Sequence, residues 1–443
     1  MKKIGHIVLF LIIITPVFAQ DEFVFDKNVD KVSVSIKVIN NLVFIPIKVN
    51  GVELNFLLDT GVEEIILFSL EDNPEVKFYN SEKINLRGLG SKESIEGLKT
   101  TNNILEIDGL KSMNQLIYVI LDESFNLSSQ IGIPVNGIIG YHFFKDNLVS
   151  INYAKKKLTV SKNNEVNSNK LRKRYEEVSI TVEKHKPYLL GNVLIDQKNV
   201  SIKLLIDNGN SDSIWLFQDL SDDIKVPSRN FEDFLGKGFS GDIEGKRARV
   251  SEFSFDKFSF SNPIVAFPDA SSIKSVRMVE NRLGSIGGGL LKRFLVVFDY
   301  KNEKLYLRKN SDFNEPFTYN KSGIEIQHHG LQWVQETVKL ETIPISRGDT
   351  FDARGEKVTN NFKYKFNLKP IYEIANVRKN SPADLCGLKV GDVIISINKS
   401  AVYSYSLQRI NDMFRSEEEK WIDLEIERNS QVMKFRFQLL DVL

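Results

Sequence analysis

Asn55-Phe56-Leu57-Leu58-Asp59-Thr60-Gly61 and, much later, Lys203-Leu204-Leu205-Ile206-Asp207-Asn208-Gly209 share one pattern: an apolar run that ends in Asp-x-Gly. Runs this short, bounded by turn residues, read as buried strands. The glycine permits a tight turn that leaves the aspartate at its tip. Each run has a downstream companion. Asn136-Gly137-Ile138-Ile139-Gly140-Tyr141 follows the first, and Gly284-Ser285-Ile286-Gly287-Gly288 follows the second. Leu148–Tyr153 and Leu295–Tyr300 then close the two segments, followed by Lys157–Val160 and Lys304–Leu307. Asp59 and Asp207 are 148 positions apart, Gly140 and Gly287 147, and Tyr153 and Tyr300 147. Three landmarks at one offset indicate a duplicated unit.

Taken singly, an aspartate in a turn is most simply a turn cap. At one repeat offset, after equivalent apolar strands, a shared role is the better reading. Two halves packed face to face would bring both carboxylates together. At about 3 Å separation such a pair shares a proton, because two adjacent carboxylates cannot both ionise cheaply. One member can then activate water while the other donates to a scissile carbonyl. Asn210, Ser211 and Asp212 are expected to shape the second turn.

Around this unit the chain offers little competing chemistry. Lys plus Arg is 59 and Asp plus Glu 58, so no net field favours nucleic acid, and no nucleic-acid partner is expected. No His lies at metal-ligand spacing with Cys or paired carboxylates, so neither metal nor cofactor is expected. His328-His329 reads as a surface pair on a strand. Gly287-Gly288-Gly289 lacks a following Lys-Ser/Thr and reads as close backbone packing. Cys386 is the sole cysteine, which excludes an internal disulfide, and it reads as a buried inert thiol. Arg87-Gly88-Leu89-Gly90 and Gly236–Gly241 fit either flaps over a cleft or ordinary β-turns.

Met1-Lys2-Lys3, the apolar stretch Ile4–Val17 and the small residue Ala19 fit a signal peptide over 1–19. The stretch is short for a membrane span, which needs about 20 apolar residues, so no stable span is expected. Export to a bacterial periplasm or outside the cell is the expectation. Asn163–Arg174 and Lys309–Pro316 are polar and read as connections, and the segment between Ile343 and Thr359 fits no element. Beyond them come Ile371–Val377, a turn at Asn380-Ser381-Pro382, Gly387-Leu388, Gly391-Asp392, Ile395–Asn398, a helical stretch Leu407–Phe414, and strands Ile422–Arg428 and Val432–Leu439.

The paired Asp-Thr-Gly and Asp-Asn-Gly turns, with Ile138-Ile139-Gly140 and Ile286-Gly287 behind them, resemble the retropepsin-like aspartic proteases in duplicated form, over roughly Val32–Asn310. The resemblance implies a mainly β, bilobal pepsin/retropepsin-like fold, with lobes at 30–162 and 175–310. It implies catalytic Asp59 and Asp207, supported by Thr60, Gly61, Asn208 and Gly209, in an exported endopeptidase acting on protein or peptide substrates. Asn208 departs from the Thr or Ser usual there, whose hydroxyl helps lock the turns together in that family. A catalytically inactive peptide-binding scaffold on the same lobes therefore stays open. The tail over 319–443 resembles a bacterial-type PDZ domain, α+β in class. That resemblance implies a C-terminal peptide ligand added beside Ile371–Val377, touching Ile371 and Ile374. Leu407 would lie on the opposing wall, and a carboxylate-binding loop would fall at Lys365-Phe366-Asn367-Leu368.

Overall fold

Both apolar runs become strands buried on both faces, as near-continuous hydrophobicity requires. The computed structural model describes residues 21–70, 76–87, 94–122, 126–238, 241–273, 278–339 and 362–443, and this chain is mainly β. The expected signal peptide, the glycine-rich stretch 88–90, residues 239–240 of the second such stretch, and the segment 343–359 lie outside the described residues.

The first half builds its central sheet around Val52–Leu58 (β1). It pairs antiparallel with Leu42–Val49 through the Asn50-Gly51 hairpin, whose residues both sit at positive φ. On its other side it runs parallel to Gly137–Ile139 (β2), with Leu58 opposite Ile139. A short helix, Ser128–Ile131 (α1), leads toward β2, which also pairs antiparallel with Ile65–Leu67. The second half repeats this strand for strand. Lys198–Asp207 (β3) pairs antiparallel with Lys186–Ile195 and parallel with Arg282–Gly287 (β4), Asp207 opposite Gly287. Antiparallel to β4 lies Ile214–Leu216.

A separate six-stranded sheet joins the halves. At its centre Leu148–Asn152 pairs antiparallel with Phe294–Asp299, with Val149 opposite Phe298 and Ile151 opposite Val296. At the 147-residue offset Val149 corresponds to Val296 and Ile151 to Phe298, so the register is self-complementary about a pseudo-two-fold axis. One continuous core runs through both halves, including Phe56, Leu58, Ile139, Leu204, Ile206, Ile286 and Phe298, all at or near zero exposure. Each such side chain is worth about 1.5–3 kcal/mol of burial, which stabilises a chain that has no disulfide.

Two connections differ from expectation. The polar stretch at 163–174 contains a helix, Glu165–Arg172 (α2), rather than an unstructured link. Asn164 caps it by accepting from the Asn167 N–H at 3.0 Å, and Lys170 and Arg172 sit in its last turn, where they oppose the helix dipole. Capping and charge replace the missing apolar periodicity. The expected loop at Lys365–Leu368 is instead part of a strand.

The C-terminal module has its own core and a sheet in the order Ile324–Lys339 (β5), Phe362–Val377 (β6), Val393–Ile397 (β7), Trp421–Arg428 (β8) and Gln431–Gln438 (β9). Helix Leu407–Phe414 (α3) is capped by Ser406 and buries Leu407, Ile410 and Phe414 along one face. Asp392 is almost fully buried and takes a bidentate grip from Arg428, at 2.6 and 2.7 Å, which accounts for an acid at that turn.

Candidate active site

Each aspartate sits where its apolar strand runs out into a turn, and the glycines set how closely the halves approach. The Gly61 N–H donates to Asp59 Oδ1 at 2.7 Å, and the Gly209 N–H donates to Asp207 Oδ1 at 3.1 Å. A methyl placed on Gly209 would lie 2.3 Å from Asp59 Oδ2. One on Gly61 would lie 3.0 Å from Asp59 Oδ1 and 3.1 Å from Asp207 Oδ1. Only glycine allows the two turns to meet in this way. The Asp59 and Asp207 carboxyls thus face one another across the seam, both beside Gly61.

Behind the turns, Gly140 and Gly287 act alike. A methyl on Gly140 would lie 1.9 Å from the Val62 carbonyl oxygen, and one on Gly287 2.4 Å from that of Asp212. Backbone presses directly on backbone at both places. Each half also reaches across the seam with a hairpin turn. Asn41 Nδ2 donates to the Ser211 carbonyl at 2.8 Å, while His185 Nδ1 lies 2.6 Å from Glu63 Oε1 and its ring packs 4.3 Å from Tyr141. Ser211 and Glu63 are 148 positions apart, so these contacts are two-fold counterparts.

The lock between the turns is one-sided. Thr60 Oγ1 donates to the Ile206 carbonyl at 2.6 Å and accepts from the Asn208 N–H at 3.0 Å. Asn208 is fully buried, yet neither its side-chain oxygen nor its nitrogen has a hydrogen-bond partner among the described residues. The departure noted in the sequence thus has a structural counterpart. Asp212 braces the second turn from outside. It accepts from Arg247 at 2.8 Å and from Trp215 Nε1 at 2.7 Å, and Arg247 also pairs with Asp233 at 2.5 Å. Arg378 of the C-terminal module stands 3.6 Å from Asp233 and so extends this network out of the lobes.

Burial, then the neighbouring Asp207 charge, pushes Asp59 up to about 8, against the opposing Gly61 N–H and Lys186. Asp207 is also raised by burial, with Arg282 and Lys186 pulling the other way. Two carboxyls in mutual contact titrate as a pair, and this pair keeps a proton well above the ordinary carboxylate range. Lys186 and Arg282 were not singled out by the sequence. They reach the pair from neighbouring strands, and no local motif marks such positions. Among the described residues no group of three His, Cys, Asp or Glu is placed to hold a metal ion. The surface pair finds separate uses: His329 Nδ1 lies 2.8 Å from Glu373, and His328 packs against Tyr372.

In the C-terminal module the structure relocates the expected ligand strand. Tyr372 and Glu373 are flanked on both sides, by β5 through His328 and Gln327 and by β7 through Ile394 and Val393, and the Ile374 N–H donates to the Asp392 carbonyl at 3.0 Å. A strand has two edges, and both are taken over Tyr372–Ile374, so no peptide strand can add there. Ile374 and Leu407 are core residues, and Ile371 is also partly covered. Phe366 and Leu368 are exposed on the β5–β6 ribbon, where Phe366 faces Gln335 and Leu368 faces Trp333, and Asn367 Nδ2 donates to Glu336 at 2.6 Å. Alternating exposed and paired residues made that stretch a strand rather than a carboxylate loop. The sheet's edge strands are β5 and β9, and β5 is the one beside β6. Cys386 is partly exposed rather than buried, with Sγ 3.1 Å from the Ala383 carbonyl, and burial pushes its thiol up.

The PDZ-domain family profile matches residues 373–428, from the end of β6 through α3 to β8. No curated protein matches the chain.

Proposed function

We propose that the chain is an exported aspartic endopeptidase of the pepsin/retropepsin type, with its PDZ domain serving peptide binding or regulation. The observation that carries this reading is the meeting of Asp59 and Asp207, each at the tip of an equivalent turn, around Gly61 and Gly209. In the proposed reaction the singly protonated pair holds a water. The ionised carboxylate takes a proton from that water as it attacks the peptide carbonyl, and the protonated partner donates a hydrogen bond to the carbonyl oxygen. Collapse of the tetrahedral species returns a proton to the leaving amine and restores the shared proton. Lys186 and Arg282 keep the pair from holding two protons over too wide a range. The arms Glu82–Arg87 with Ser94–Ile107, and Asn230–Gly238 with Gly241–Arg249, are candidates for covering an extended substrate.

The unpartnered Asn208 amide favours a second reading, a catalytically silent protein that binds peptides in the same cleft. One assay separates the two. Residues 20–443 are incubated with a denatured protein from about pH 3 to about pH 8, beside Asp59→Asn and Asp207→Asn. The endopeptidase reading expects a bell-shaped profile that either substitution abolishes. Cleavage that survives both would place the chemistry elsewhere, and no cleavage by the parent chain would favour the silent binder.

A further inference from the structure

The outer edge of β5 pairs with no other strand among the described residues, and Leu407, Ile410 and Phe414 of α3 share one core cluster with Ile324 and Ile326 of β5. That edge is nevertheless covered. Helix α1 of the first half lies against β5. Its C-terminal Gly132 fits between the module's strand and helix: a methyl there would lie 3.1 Å from Leu407 Cβ on α3 and 3.7 Å from His328 Nε2 on β5. Two further contacts hold α3 to the same half. The Asn40 N–H donates to Gln408 Oε1 at 2.6 Å, and Asn411 Nδ2 donates to Asn40 Oδ1 at 3.2 Å. The cap is itself anchored, because Leu127, Ile131 and Ile133 pack on the buried cluster of Phe44, Leu57, Phe68 and Ile138.

We propose that the groove between β5 and α3 is capped in cis by Ser128–Gly132, so that a peptide enters it only when the PDZ domain parts from the first half. The cap and an added strand would occupy the same space, since both lie on the free edge of β5 and against Leu407. The neighbouring turn gives the event a route inward. Asn40, held by α3, is followed by Asn41, which holds the Ser211 carbonyl four residues beyond Asp207. The capping itself does not depend on any chemistry at the carboxylate pair.

A capped site binds with its intrinsic constant divided by the open fraction, so releasing the cap must tighten binding. Two variants release it differently. Gly132→Asn keeps a residue that tolerates the positive φ of 80° there, but drives a side chain into Leu407 and His328. Gln408→Ala with Asn411→Ala removes the two bonds to Asn40. A phage-displayed library of random C-terminal heptapeptides is selected on the full exported chain and on both variants, and the enriched peptides are titrated by fluorescence anisotropy. The expected result is binding at least about tenfold tighter to both variants than to the parent. Equal affinity for all three would overturn the cap, and so would failure of every form to enrich any peptide. Loss of binding to one variant alone, with the other tightened, would assign the loss to misfolding of that variant and leave the cap supported by the second.

Discussion

Replacing Asn208 with threonine should stabilise the protein, which is the reverse of what most substitutions of a fully buried residue do. Asn208 carries two buried polar atoms without partners. Each such atom costs about 1–3 kcal/mol. A threonine hydroxyl at 208 would stand in the two-fold counterpart of the Thr60 site, with the Leu58 carbonyl to donate to and the Thr60 N–H to accept from. Thr60 already shows that geometry, at 2.6 and 3.0 Å. At the low end, two atoms relieved at about 1 kcal/mol each and a hydrogen bond gained at about 1 kcal/mol predict a net gain of about 3 kcal/mol. For a unit of this size, with about 2–4 °C per kcal/mol, Tm should rise by roughly 6–12 °C in a calorimetric scan. Asn208→Ala is the companion: it also removes the unpartnered atoms, at the cost of a small cavity, and should come out near neutral. A lower Tm for Asn208→Thr, or a loss of several kcal/mol in Asn208→Ala, would show that the amide is satisfied in solution and that the one-sided lock is wrong.

Thr60→Ala should be the most damaging single change at the seam. It strands the buried Ile206 carbonyl and Asn208 N–H together and should lower stability by about 2–4 kcal/mol in urea unfolding. Asp59→Asn should raise stability at neutral pH. The folded carboxyl holds its proton up to about 8 while the unfolded one releases it near 3.8, so the parent loses stability as pH rises between those values. The variant lacks that slope and should gain on the order of 2–4 kcal/mol at pH 7, read from melts across pH. Lys186→Met removes a cation that favours the ionised pair, so the proposed pH–rate profile should move toward alkaline pH without losing its bell shape. Gly140→Ala should fail to fold stably, because its methyl would lie 1.9 Å from the Val62 carbonyl oxygen, as circular dichroism of the purified variant would show.

The mainly β character and the PDZ domain were legible because both rest on short-range signals: apolar runs, Asp-x-Gly turns and the Gly391-Asp392 scaffold turn. The duplicated strand pattern was legible for the same reason, since each landmark is a buried strand or a glycine under close backbone. What escaped the sequence lies between distant segments. Lys186 and Arg282 reach the carboxylates from neighbouring strands, and Asn41 and His185 cross a seam that only the pseudo-two-fold packing creates. The groove edge was assigned to Ile371–Val377 by the resemblance to PDZ domains, which says nothing of the long strand that precedes it in this chain. Yet β5, which pairs with β6 on one side only, is the strand beside it that keeps a free edge. Helix α2 was missed because a capped, charged eight-residue helix leaves no apolar stripe.

The shared proton is open to direct counting. Potentiometric titration of the folded chain is compared with that of the double variant Asp59→Asn with Asp207→Asn, from about pH 3 to about pH 9. The parent should still bind close to one more proton than the variant at pH 6, and release it toward pH 8. A difference curve that is complete by about pH 5, as two independent carboxylates would give, would contradict the pairing.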